Sequence, residues 1–382
     1  MVEIGLVGAP SSGKSTFFKA CTLKDVKIAP YPFTTLEPNE GLAYASTKCA
    51  CKDKNTSSSG TCGKCVNGVR FIPIKLWDVA GLVPDAHAGK GRGNEFLSDV
   101  MHSDALIHIL DASGSVDYEG NPAEGFDPVL TVEMLEREID FWLLSLVKKD
   151  WKLMESSKDP AAIIEKRLCG IGVKRTHIDT TLHENPKMWS DSQIMEFLSS
   201  VRKKSKPILI AGNKYDKKGA KYNVDAIGRT RRIIPVSSEI ELALREAGKE
   251  GLIKYVPGSP EFEVTGDLSD RQKPAITFMK KYLNENGATG VQQCINTAVF
   301  DVLGMVAVFP VEDEKRWTSK KGEILPDAFL MHKGSTALDL AYRIHEDIGK
   351  KFISAVNAKT GRNVSSDYVL QQGDVISVKA GR

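Results

Sequence analysis

The chain of 382 residues is 41% hydrophobic and 26% charged, with seven cysteines and a formal net charge of only +3. That length and apolar content suffice for at least one full core and leave room for two or three domains. The near-balance of charge excludes a strongly basic nucleic-acid coat, so DNA is not an expected partner and any RNA contact must be local. No apolar run approaches the roughly 18 residues that span a bilayer, and the opening "MVEIGLVG" lacks a charged n-region, so a cytoplasmic chain without a membrane partner is expected.

In chain order, "VEIGLVG" predicts a buried strand and "KSTFFKAC" the start of a helix. Between them Gly8, Ala9, Pro10, Ser11, Ser12, Gly13, Lys14, Ser15 and Thr16 carry the spacing G-x-x-x-x-G-K-[ST]. Glycines let backbone N–H groups close on phosphate oxygens, the helix N-terminus adds a positive dipole, Lys14 reaches the outer phosphates and the Ser15 hydroxyl suits Mg²⁺. "YPFTTLEPN" places Thr34 and Thr35 in a Pro-bracketed loop as a candidate first switch. "IPIKLWDVAGL" predicts a strand ending in Asp78 and followed by Gly81, a candidate second switch with a carboxylate for the metal's outer shell and an N–H for a γ-phosphate.

Between the switches, "KCACKDKNTSSSGTCGKCVNG" spaces Cys49, Cys51, Cys62 and Cys65 as C-x-C-x10-C-x2-C. Two readings stay open: a tetrahedral Cys₄ zinc site, or free thiols in a mobile loop. Further on, "VLTVEMLEREIDFWLLSLVKKDW" sets Val132, Leu135, Ile139, Trp142 and Leu146 at spacings of three and four, which predicts one amphipathic helix. "SDSQIMEFLSSVRKKSKP" predicts a returning helix, and residues 145–206 hold thirteen Lys/Arg against eight Asp/Glu, a local net of +5. RNA contact and an ordinary solvated helical face both fit that bias.

"KPILIAGNKYD" then predicts a strand ending in Asn213-Lys214-Tyr215-Asp216, and "IIPVSSE" one ending before Ser237 and Ser238. Asp216 can accept from guanine N1–H and N2–H₂, Asn213 can bond the base's other edge, and the Lys214 stem can lie across the ring. Adenine would leave Asp216 unpaired in a desolvated pocket, so the motif selects guanine. "LSDRQKPAITFMKKYLNENG" and "GVQQCINTAVFDVLG" predict two more helices. In the tail, "MVAVFPV", "ILPDAFLM", "KFISAVNA" and "DVISVKA" predict strands around one helix, "STALDLAYRIHEDIG", capped by Ser335 or Thr336.

These segments together resemble an Obg-related P-loop GTPase of the YchF branch in its archaeal-type form, carried by "GAPSSGKSTFF", "YPFTTLEPN", "DVAGLVPDAHAGKGRGNEFL", "DALIHILDASGS" and a C-terminal block from "DAFLMHKG" to "GDVISV" that resembles a TGS domain. The resemblance implies an α/β fold: a doubly wound P-loop GTPase sheet over 1–303, with a Cys-rich loop insertion at 46–68 and an inserted helical arm at 127–206, then a β-grasp (TGS) domain over 304–382. It implies GTP hydrolysis to GDP and phosphate as a molecular switch, with Ser15 and Thr35 as Mg²⁺ ligands, and ribosome or RNA contact through the arm and the TGS domain. Lys14, Thr35 and Gly81 are the candidate catalytic groups of the motifs, and His87 in "PDAHAGKGRG" fits either a group that hydrogen-bonds water or an exposed loop histidine with no role.

Two departures qualify what carries over. Many YchF-branch proteins have an altered guanine motif and take ATP, whereas Asn213, Lys214 and Asp216 are intact here, so GTP is expected. Potassium-activated relatives usually carry asparagine where this chain has Ser11, so a K⁺ requirement is not carried over. Leu82 stands where many GTPases place a water-orienting glutamine, which keeps a nucleotide-gated RNA- or protein-binding module, with incidental or ATP-directed hydrolysis, as the alternative.

Overall fold

A computed structural model describes residues 1–23, 39–54, 62–63, 65–79, 102–183, 186 and 188–381. Strands buried on both faces read as continuous apolar runs, and such strands pair in parallel beneath covering helices. "IGLV" and "ALIHIL" obey that rule: they lie in β1 (Glu3–Val7) and in β5 (Ala105–Asp111), beside β2 (Asn39–Lys48), β3 (Cys65–Val66), β4 (Val69–Asp78), β6 (Ile208–Asn213) and β7 (Ile233–Pro235). The sheet order is β2-β4-β1-β5-β6-β7, with β3 paired to β4. β1 runs parallel to both β4 and β5, and the chain passes to opposite sides of it, so the ligand crevice of such a sheet opens at its carboxyl end. The registers bring Asp78, Asp111 and Asn213 to that end.

α1 (Lys14–Thr22) follows the first strand as the apolar pattern requires. The arm begins at α2 (Pro128–Lys148), with Pro128 in the first turn and Asp127 accepting from the amide of Val129 at 3.0 Å. The single predicted helix through Trp151 is instead broken: α2 ends at Lys148, and Asp150 starts α3 (Trp151–Ser156). α4 (Pro160–Leu168), α5 (Arg175–Asp179) and α6 (Asp191–Ser205) complete the arm. Leu135, Ile139, Leu143, Met154, Ile164, Leu168, Leu198 and Val201 form its core, each such burial removing about 1.5 to 3 kcal/mol of apolar exposure. Across it, Arg202 donates to Asp140 through Nε at 2.6 Å and through a terminal nitrogen at 3.3 Å, with both side chains buried.

Beyond β6 come α7 (Ala220–Gly228), α8 (Ser238–Lys249), the hairpin β8 (Ile253–Tyr255) with β9 (Phe262–Val264), α9 (Gln272–Asn286) and α10 (Val291–Asn296). The tail sheet has the order β11-β10-β14-β12-β13, from β10 (Met305–Pro310), β11 (Phe329–His332), β12 (Phe352–Asn357), β13 (Arg362–Val364) and β14 (Val375–Ala380). The central pair β10 and β14 is parallel, and the flanking pairs are antiparallel. α11 (Ala337–Ile344) lays Leu340 into a cluster with Val308, Met331, Ala355 and Ile376. Thr336 is the cap: its amide donates to Asp339 at 2.7 Å, and the Asp339 amide returns to the Thr336 hydroxyl at 3.3 Å. The predicted tail helix stops at His345 and restarts as α12 (Glu346–Lys350). Strands rolled around one helix make the expected β-grasp.

The chain clusters into two compact units, one of residues 3–43 and 75–294, the other of residues 1–2, 44–74 and 295–382. This grouping differs from a boundary at 303/304 with 46–68 as an insertion in the nucleotide domain. The reason is apolar: Cys49, Ala50, Cys51 and Cys62 share a buried cluster with Phe309, Val311, Trp317, Leu325 and Val375 of the tail.

Candidate functional site

The turn from β1 to α1 is a concave backbone loop. A side chain on Gly8 would bring its Cβ to 2.4 Å from the Ile109 carbonyl, and on Gly13, where φ is +91°, to 2.3 Å from Asn213 Nδ2, so both positions demand glycine. Ser11 adopts φ +61° and Gly13 φ +91°, a spacing of left-handed residues that fits the backbone of an anion nest. The Ser12 hydroxyl is buried with no hydrogen-bond partner among the described residues and lies 3.0 Å from where a Gly8 Cβ would stand.

Lys14, only 7% exposed, pairs with the fully buried Asp78, and the Ser15 hydroxyl donates to the second Asp78 oxygen at 3.0 Å. A lysine, a hydroxyl and a carboxylate thus converge at the rim of the nest. Oxygen donors of this kind suit a hard cation such as Mg²⁺. The Thr34, Thr35, Gly81, Leu82 and His87 expectations lie outside the described residues.

A cleft of about 1070 Å³ adjoins this rim, lined by Gly13, Thr16, Ser115, Glu124, Lys214 and Asp216 among others. That is just above the usual range of small-molecule sites, about 300 to 1,000 Å³. Asp216 accepts from the Ser237 hydroxyl at 2.7 Å and lies 3.3 Å from Lys217 Nζ. Lys214, with φ +59°, reaches Asp111 at 3.1 Å and Ser115 at 3.2 Å. Asn213 is committed to protein partners: its Nδ2 donates to the Ser12 carbonyl at 2.8 Å, and its Oδ1 accepts from the Ser238 amide and hydroxyl at 3.1 and 2.8 Å. These bonds tie the cradle to the Ser237–Ser238 turn.

Asp111 is the site residue that sequence reasoning missed. Its carboxylate accepts from the amides of Ser113, Ser115 and Val116 at 3.0 to 3.1 Å and from the Ser113 and Ser115 hydroxyls at 2.6 and 2.7 Å. Burial opposes its charge, but Ser113, Lys214 and Ser115 outweigh burial and hold the carboxyl below its usual range. It thereby fixes both Lys214 and the loop after β5, which reaches the cradle where a Cβ on Gly120 would meet Pro10 at 2.6 Å. The signal was present: an acid at a strand end followed by "ASGS".

An uncharacterised GTP-binding protein of Methanocaldococcus jannaschii is 42% identical over 388 residues, spanning 99% of each chain. The chain belongs to the Obg-like P-loop GTPases of the YchF branch. Family models match this Obg-like protein as a 50S ribosome-binding GTPase over residues 3–143, as an Obg-like GTPase YGR210-like, G4 motif-containing domain over 211–313, and as a TGS domain over 315–380. A GTP-binding protein of Schizosaccharomyces pombe is 34% identical over 98% of this chain and 97% of its own, and the ribosome-binding ATPase YchF of Bacillus subtilis 27% identical over 97% of each. A crystal structure of a GTP-binding protein from Pyrococcus horikoshii covers all of both chains with a TM-score of 0.78 and 36% identity.

The chain also gathers Cys49, Cys51, Cys62 and Cys65, whose sulfurs all lie within 4.8 Å of one another. Burial pushes the Cys51 thiol up to about 11 and that of Cys62 higher still. At Cys49 burial acts the same way, but the Cys51 amide and the Arg70 guanidinium outweigh it and hold the thiol below its ordinary value.

Proposed function

We propose that the protein is a Mg²⁺-dependent GTPase that hydrolyses GTP to GDP and phosphate and uses the cycle as a switch, in association with ribosomes. The observation that carries the base preference is Asp216, present in an intact N-K-x-D, lining the cleft and oriented by the Ser237 hydroxyl. In this reading the amides of the Gly8–Ser15 nest cradle the phosphates, Lys14 neutralises the outer oxygens, and Ser15 with Thr35 supplies metal ligands in front of Asp78. Bound Mg²⁺ would neutralise charge developing between the β- and γ-phosphates. Lys214, held by Asp111, lays its stem along the base.

Leu82 offers no hydrogen bond to an attacking water, so a residue of "PDAHAGKGRG" such as His87, a bound cation or a partner must orient it, and intrinsic turnover should be slow. Ribosome association rests on the names of relatives, including the YchF proteins called ribosome-binding ATPases, and on the basic bias of residues 145–206. Because those relatives are named ATPases, the decisive test is paired: calorimetry with GTP and ATP, then single-turnover hydrolysis of each with and without ribosomes. GTP preferred at least a hundredfold, with hydrolysis accelerated by ribosomes, is expected. Equal affinities would overturn the guanine assignment. Ribosome binding without any hydrolysis would leave a nucleotide-gated binding module.

A further inference from the structure

We propose that Cys49, Cys51, Cys62 and Cys65 form a closed structural zinc site, with Arg70 as its charge partner in the outer shell. Nothing in this proposal depends on nucleotide hydrolysis.

The sulfur spacing fits a tetrahedral site. Cys49 Sγ stands 3.6 Å from Cys62 Sγ, and Cys51 Sγ 3.8 Å from Cys65 Sγ, with all four sulfurs mutually within 4.8 Å. Thiolates at about 2.3 Å from a central Zn²⁺ are separated by about 3.8 Å along each tetrahedral edge. Three of the four cysteines are buried and the fourth is half-buried, so all four positions are supplied by protein and no open coordination place is indicated. The short turns also suit ligation. The Lys52 amide donates to the Cys49 carbonyl at 3.2 Å, the Cys49 amide donates to the Gly68 carbonyl at 2.9 Å, and Gly63, within the second pair, takes φ +41°.

Arg70 is the independent observation. Its side chain is among the largest fully buried ones in the protein, at 2% exposure. One terminal nitrogen donates to the Leu325 carbonyl at 2.7 Å and the guanidinium lies 5.4 Å over the Phe309 ring, while Nε has no hydrogen-bond partner among the described residues. None of the ion pairs among the described residues includes it. A Cβ on Gly63 would fall 2.1 Å from Arg70, so the guanidinium is pressed directly against the Cys62–Cys65 turn. A buried cation needs an anion. Four thiolates around Zn²⁺ carry a net charge of −2, and that cluster is the anion this pocket provides.

The site holds Cys49, Cys51 and Cys62 in their cluster with Phe309, Trp317 and Leu325, and so stabilises the tail unit, while the nucleotide residues lie in the other unit. Full-length protein purified without chelator from medium containing both zinc and iron should carry about one zinc per chain by elemental analysis. Replacement by Co²⁺ should give the intense visible bands of tetrahedral cobalt thiolate. Cys62→Ser and Cys65→Ser should each lose the metal with GTP affinity unchanged. Arg70→Gln should keep the fold but release zinc to a chelator about 10- to 100-fold more readily, as outer-shell replacements do, and Arg70→Lys should restore part of the retention. Stoichiometric iron, four freely titratable thiols without metal, or a mass showing two disulfides in the native protein would each overturn the zinc site. Wild-type retention in Arg70→Gln would overturn the role of Arg70.

Discussion

Asp216 accepts from Ser237 at 2.7 Å while it lines the cleft, so a hydroxyl in the protein fixes the carboxylate that is to read the base. Asp216→Asn turns an acceptor into a donor against guanine N1–H and N2–H₂, leaving polar groups unpaired at about 1 to 3 kcal/mol each. The GTP-over-ATP affinity ratio should therefore fall about a hundredfold by calorimetry, with the melting temperature nearly unchanged; an unmoved ratio would place the base elsewhere. His108 makes a residue-scale prediction of another kind. It is wholly buried in β5, neither ring nitrogen has a partner among the described residues, and burial, aided by Arg231, depresses its pKa to about 3. Below pH 6.5 the unfolded chain takes up this proton and the folded one does not, so stability falls as pH drops toward 3, at about 1.4 kcal/mol per unit. By pH 4.5 this one group should remove about 2 to 3 kcal/mol. His108→Leu should flatten that part of the stability-pH curve measured by denaturant titration, and an equally steep curve would assign the acid lability to other groups.

At the scale of elements, α2 and α6 are joined by the buried Arg202–Asp140 pair. Arg202→Met strands a buried carboxylate and should cost about 3 to 5 kcal/mol, whereas the double change with Asp140→Leu should recover most of the loss. Equal instability of single and double variants in urea melts would mean that packing, not charge, holds the arm. The outer helices of the arm also show why some elements were legible and others were not. α2 and α6 announce themselves by long apolar periodicity and by caps such as Ser190 with Gln193. α3, α4 and α5 are five to nine residues long, too short for a period to show, and owe their helicity to burial of Met154, Ile164 and Ile178. The nest, the guanine motif and the β-grasp strands could be read because local spacing encodes them. The struts could not: Asn213 meets Ser12 across 201 positions, Lys214 meets Asp111 across 103, and Arg70 meets Leu325 across 255. Such pairs exist only after the sheet and its neighbours have set their registers.

Over the whole molecule a net charge of +3 is smaller than the +5 carried by residues 145–206 alone, so the remainder is slightly acidic; residues 127–144 at the start of the arm hold five Asp/Glu against one Arg, so the basic bias belongs to the later part of the arm. Part of that charge is already spent: Lys148 pairs with Asp191, Arg175 with Asp159 and Asp179, and Lys204 donates to the Thr180 carbonyl. Lys152, Lys158 and Lys166 are exposed on α3, α4 and the turn joining them. Exposed lysines facing a polyanion release counterions when they bind, and each phosphate neutralised adds about 0.7 to 0.9 to the slope of log affinity against log salt. If the arm meets ribosomal RNA, Lys152→Glu, Lys158→Glu and Lys166→Glu together should weaken ribosome co-sedimentation at least tenfold at moderate salt and lower the salt slope by about two to three. GTP affinity should stay at the wild-type value, because the cleft is lined by other residues. Undiminished co-sedimentation with an unchanged slope would show these lysines to be an ordinary solvated face, and would move the search for the ribosomal contact to the β-grasp tail.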